Sequence, residues 1–256
     1  MFDRFTKRSS GNPLMRKVQR QATEQEQVSV LEAGLDRVAE TPMTVQGAIT
    51  KTIILTFLML LTAAYAFSNP SPLLMWGGAI GGLIMVVIGS FKPDTARYTA
   101  PAYALFEGLF VGAISAIYAG ILDGIILQAV SLTVAVLLSM LFLYQAGIIK
   151  VTAKFRAGIF MATAAVAVVY LASMALGFFG IDIPFLHEGG MLGIGISCVV
   201  LAIASLNLLV DFDNFEQGAA QGLGQKYEWV FAMGLLVTLV WIYVELLRLL
   251  MLLAEE

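Results

Sequence analysis

The chain has 256 residues, 59% hydrophobic and 13% charged, with a formal net charge of -3 and a mean hydropathy of +0.86. It is too apolar for a water-soluble domain, where apolar usage is nearer half. The small charge marks neither a nucleic-acid binder nor an enzyme for acidic substrates, and a single cysteine excludes an internal disulfide and a structural zinc site.

Residues 1–47 are polar and carry seven of the fifteen Lys and Arg residues: Arg4, Lys7, Arg8, Arg16, Lys17, Arg20 and Arg37. They lack the apolar core of a signal peptide, so the first membrane helix is expected to serve as the targeting signal. Residues 23–40 are compatible with a surface amphipathic helix through Val28, Val30, Leu31, Leu35 and Val38, preceded by a segment of disordered character. The expected organisation is a cytoplasmic tail, 1–47, and a transmembrane domain, 48–256.

Crossing a hydrocarbon core of roughly 30 Å takes about 20 apolar residues in a helix. Seven such runs follow in order: 48–67, 73–91, 99–119, 125–146, 157–179, 191–210 and 229–253. They are continuous rather than alternating, which excludes a transmembrane barrel. In the second run Gly77, Gly78, Gly81 and Gly82 form two overlapping G-x-x-x-G pairs, and Gly108 and Gly112 form another in the third, either as close packing faces or as a gating hinge.

Basic residues fall on alternate loops: Lys92 and Arg97, then Lys150, Lys154 and Arg156, then Lys226, whereas the loops around Asn69, Asp123 and Asp182 have none. The retention of Lys and Arg in short cytoplasmic loops predicts a cytoplasmic N-terminus and an external C-terminus in a plasma membrane.

Ionisable residues inside the membrane are the first functional candidates, because each costs roughly 3 kcal/mol at mid-depth and needs a partner or water. Lys51 is close enough to the start of its span to snorkel as an interface anchor. Glu107, about 13 Å into the third span, is too deep for that. Asp211 and Asp213 close the predicted sixth span, where a carboxylate is either solvated or functional. Glu245 and Arg248, at i, i+3 spacing in the last span, suit a self-neutralising pair. Alternatively Glu107, Asp211 and Glu245 face a common interior, where desolvation and like charge make their occupancy by protons or cations depend on pH.

Signatures of metalloproteases, phosphate loops, nucleophile elbows and redox cysteine pairs are absent, so no enzyme activity and no resident cofactor are expected. The lone histidine, His187, reads as a solvated loop residue, and Cys198, within an apolar run, as a small core residue. Trp76, Tyr98, Trp229 and Trp241 read as interface or core residues.

Seven spans, an acidic residue after Leu209 and Val210, and the last-span segment Tyr243-Val-Glu-Leu-Leu-Arg-Leu-Leu250 together resemble the bacterial branch of the transmembrane Bax inhibitor motif family, the Bax inhibitor-1/YccA group. Gly11-Asn-Pro13 and Met43-Thr-Val45 are also similar to that branch. The resemblance implies a bacterial inner-membrane protein in which six helices, in two three-helix layers, wrap a central seventh. It also implies a pH-sensitive calcium leak, with Ca2+ as permeant ion rather than bound metal, although a Ca2+ position near Asp211 is compatible with it. Asp211 matches the family's acidic residue ending the sixth helix, and Lys92 its basic partner. The second acidic position falls on Glu245 if Tyr-Val-Glu is aligned, or on Thr238 if the chain ends are aligned without gaps, two helical turns apart on one face. The other class compatible with the sequence is a non-conducting regulator that binds another membrane protein, such as a quality-control protease.

Overall fold

The computed structural model describes residues 41–178 and 190–255, and the amphipathic segment at 23–40 and His187 lie outside them. The described residues from Met43 onward form one compact unit. Its described residues contain seven helices long and apolar enough to cross a membrane: α1 (Val45–Ser68), α2 (Pro72–Phe91), α3 (Ala96–Ala119), α4 (Ile125–Gln145), α5 (Ala153–Phe178), α6 (Met191–Ala220) and α7 (Lys226–Ala254). A 3-10 turn, Pro93–Thr95, leads into α3.

The helix starts follow local chemistry. Thr44 caps α1 by accepting from the Gly47 backbone N–H at 2.9 Å, and Ser71 caps α2 by accepting from Leu74, with Pro72 at the first helical position. Gly222, at φ 64° in the turn between α6 and α7, adopts a left-handed conformation that a side chain would strain.

α1 and α2 pack on α3, while α4 and α5 pack on α6. α7 lies between these two groups, in contact with α1, α3, α4 and α6, and 61% of its most apolar window is buried, against 39% or less in every other span. The core consequently follows α7, with Met233, Leu236, Ile242 and Leu247 almost fully enclosed. The last helix is thus the most enclosed of the seven, as the expected central position requires, and a stripe through Gly234, Val237, Trp241, Val244 and Arg248 is less covered.

Two boundaries differ from the sequence reading. α6 continues past Val210 to Ala220 and α7 begins at Lys226 instead of Trp229. Both helices are about 45 Å long, more than the hydrocarbon thickness, so hydropathy recognises only their buried parts. Cys198 is exposed on α6 rather than in the core; Ser197 and Val200 take the buried face, and one residue of helix rotates Cys198 away from it.

Glycines separate into two kinds. A Cβ added at Gly78 would lie 2.6 Å from the Phe106 carbonyl oxygen and the Phe110 nitrogen, and one at Gly112 would collide with the Ala63 backbone, whereas Gly77 faces open space. The backbones of α2 and α1 therefore approach α3 closely at these points, as small-residue packing predicts.

Candidate functional site

Asp211 lies nine residues before the end of α6, about 14 Å from it, and Thr238 lies twelve residues into α7, about 18 Å from its start. A tight turn joins the antiparallel pair, so the two residues reach matching depth. There the Thr238 hydroxyl donates to Asp211 Oδ2 at 2.6 Å. Asp211 is half-buried and Thr238 buried. Asp211 thus sits within a helix near mid-bundle, not at a helix end as the sequence suggested.

Glu245 lies two turns further along α7, about 10 Å beyond Thr238. It is buried, accepts a 3.2 Å hydrogen bond from the Tyr170 hydroxyl of α5, and has the Arg248 guanidinium 3.8 Å from its Oε1. Arg248 also donates to the Tyr170 hydroxyl. The i, i+3 spacing does bring Glu245 and Arg248 together, and Tyr170 completes the cluster. Glu107 is half-buried on α3, its carboxylate against Gly82 of α2 and beside Tyr103. The three carboxyl groups thus have different neighbours: α7 for Asp211, α5 for Glu245 and α2 for Glu107. They do not form the common interior cluster considered from sequence, because each helix turns its acidic residue toward a different neighbouring helix.

Asp213, two residues beyond Asp211, points elsewhere. It pairs with Arg156 of α5, which also donates to Asn214, and accepts from Gln217 at 2.7 Å. Lys92 is exposed at the end of α2, so its position differs from that of a partner for Asp211; the Thr238 hydroxyl holds that carboxylate instead. At this end of the bundle Lys226 bonds Asp94 at 2.7 Å across from the α2–α3 connection, and Tyr144 donates to Glu216 at 2.7 Å.

A polar cluster that the sequence reading did not assemble joins α1 to α7. Glu228 is 2% exposed and pairs with Lys51. It also accepts from the Thr44 backbone N–H at 2.7 Å and from the Thr44 hydroxyl at 3.3 Å. The Lys51 ammonium lies 5.3 Å from the Trp229 ring centroid, a cation–π distance. Lys51 therefore points inward to a partner 177 residues away rather than snorkelling. Glu228 precedes the apolar run in sequence, and only its place one residue before Trp229 hinted at burial.

Among the described residues no three acidic, histidine or cysteine side chains converge in the manner of a metal site. Asp211, Asp213, Glu228 and Glu245 each have hydroxyl or basic partners. Elongated apolar helices around one enclosed helix, with acidic side chains inside the bundle, define a multi-pass membrane protein. The profile of the family described as Bax inhibitor 1 like matches residues 12–255, and the chain belongs to that family. The match extends from the spans into the polar N-terminal region. Among curated proteins, none matches the chain.

Proposed function

We propose that the protein is a pH-sensitive leak or exchange pathway for cations, calcium foremost, in which protonation of Asp211 sets the open probability. The bond from Thr238 to Asp211 carries this reading. A carboxyl group at this depth needs a partner, and the partner lies on α7, the helix around which the others pack. A hydroxyl group donates to an ionised carboxylate and accepts from a protonated one. Thr238 thereby satisfies both states, and a single proton switches the charge that an entering cation meets. The family resemblance supports calcium, and the alternation of basic loops supports a cytoplasmic position for the end that bears Lys51, Lys92, Arg156 and Lys226, in a plasma membrane.

The test is reconstitution into liposomes loaded with a calcium-sensitive dye. Wild-type protein should leak calcium at a rate that depends on pH, and Asp211→Asn should abolish most of that dependence. Flux equal to that of protein-free liposomes at every pH would overturn the proposal. The separation of Glu107, Asp211 and Glu245 favours a second reading, a non-conducting regulator that binds another membrane protein such as a quality-control protease. A stoichiometric partner captured equally by wild type and by Asp211→Asn, together with absent flux, would select it.

A further inference from the structure

The strongest unassigned cluster is the buried one at the start of α1 and α7. The Glu228 carboxylate takes its hydrogen bonds from the beginning of α1: from the Thr44 N–H, the Thr44 hydroxyl and the Lys51 ammonium. The segment leading into α1 is itself fastened nearby. Met43 donates its N–H to the Leu223 carbonyl at 2.7 Å, is 2% exposed, and rests its sulfur against Gly218, where a Cβ would come within 2.7 Å of it. At Gly47 a Cβ would coincide with the Glu228 carboxylate, so that position accommodates the carboxylate only because it lacks a side chain.

Removing one member of a buried ion pair leaves an uncompensated charge in a low-dielectric interior, which is far more costly than removing both. Glu228 is therefore bound to stay with α1 while Lys51 is charged and in place. Ten residues of continuous helix, about 15 Å, separate Glu228 from Thr238. A displacement of the start of α7 is transmitted along that helix to the hydroxyl that holds Asp211.

We propose that Thr44, Lys51 and Glu228 form a latch that holds α7 in the position at which Thr238 reaches Asp211, so that freeing Glu228 from α1 exposes the Asp211 carboxyl group. This rests on the reading of Asp211 as the gating group, but its test does not depend on conduction. The latch is an inhibitory contact within the fold: closed, it keeps α7 seated against α6, and open, it lets α7 move.

The probe is dicyclohexylcarbodiimide applied to the full-length protein in lipid nanodiscs. The O–H of a protonated carboxyl group adds across one C=N bond of the reagent to give an O-acylisourea, which rearranges to a stable N-acylurea with no leaving group. Labelling of Asp211 is read by peptide mass spectrometry against labelling of Glu107, whose neighbours lie on α2. Lys51→Met should raise the Asp211 to Glu107 ratio by about fivefold or more, since a lost buried partner is enough to shift a two-state position substantially. Lys51→Met combined with Glu228→Gln removes both charges and keeps the Thr44 bonds, so it should return the ratio to within about twofold of wild type. Gly47→Ala displaces the carboxylate with no change of charge and should also raise the ratio; it decides the matter if Lys51→Met does not fold. An unchanged ratio in the folded single variants, or a double variant as reactive as Lys51→Met, would overturn the latch. Absence of calcium flux from wild type would sink the conduction reading and leave the labelling result to stand for the latch.

Discussion

The Thr238 hydroxyl group donates a 2.6 Å hydrogen bond to Asp211, so the residue on the last helix facing the sixth-helix acid is an alcohol, and Glu245, an acid further along that helix, lies two turns away. A lone carboxyl group paired with a hydroxyl group takes up one proton. Calcium flux plotted against pH should consequently follow a single-proton titration. Thr238→Asp places a second acid within reach of the first, where both cannot readily ionise, and should move the titration to higher pH and change its slope. A flux profile identical to wild type would count against Asp211 as the switch.

Thr238→Val keeps the shape of the side chain but removes the donor. A hydrogen bond to a charged group contributes about 1.5–3 kcal/mol, so the variant should have a lower thermal midpoint in detergent, and Thr238→Ser should recover most of it. Equal midpoints for the Val and Ser variants would mean that the bond contributes nothing to the fold.

Glu245 depends on Arg248 and Tyr170 in the same enclosed region. Arg248→Leu should destabilise by about 3–5 kcal/mol, because it strands a buried carboxylate. Adding Glu245→Leu to it should restore much of the loss. Tyr170→Phe should cost less, about 1 kcal/mol, since the arginine remains. Thermal unfolding of wild type, Arg248→Leu, Glu245→Leu and the double variant forms a double-mutant cycle, and simple additivity of the two leucine substitutions would argue against the pair.

The glycines give a contrast between a packed and an open position. Gly112→Ala places a methyl group into the Ala63 backbone and Gly77→Ala into open space, so the first should lower stability by more than about 2 kcal/mol and the second should be neutral or slightly favourable within a helix. Size-exclusion profiles and thermal midpoints of the two variants distinguish them.

Apolar runs alone determined seven spans, and with them the class of protein, because only helices and closed barrels satisfy the backbone in lipid and continuous apolar runs exclude a barrel. The last-span segment and the Asp211 surroundings pointed to the family. What composition could not give is which face of each helix looks inward. Hydrophobic residues surround every span, so the polar–apolar contrast that orients a helix in water is missing, and α6, with Asn207, Ser205 and Asp211 on it, gives little periodic signal. Tertiary packing alone therefore decided that Asp211 meets Thr238 and not Glu245, that Glu107 turns to α2, and that Lys51 reaches Glu228. The pairing of Lys51 with Glu228 spans 177 residues, a separation at which nothing local in the chain records the contact; it arises because α7 occupies the middle of the bundle and brings its first turn beside the start of α1.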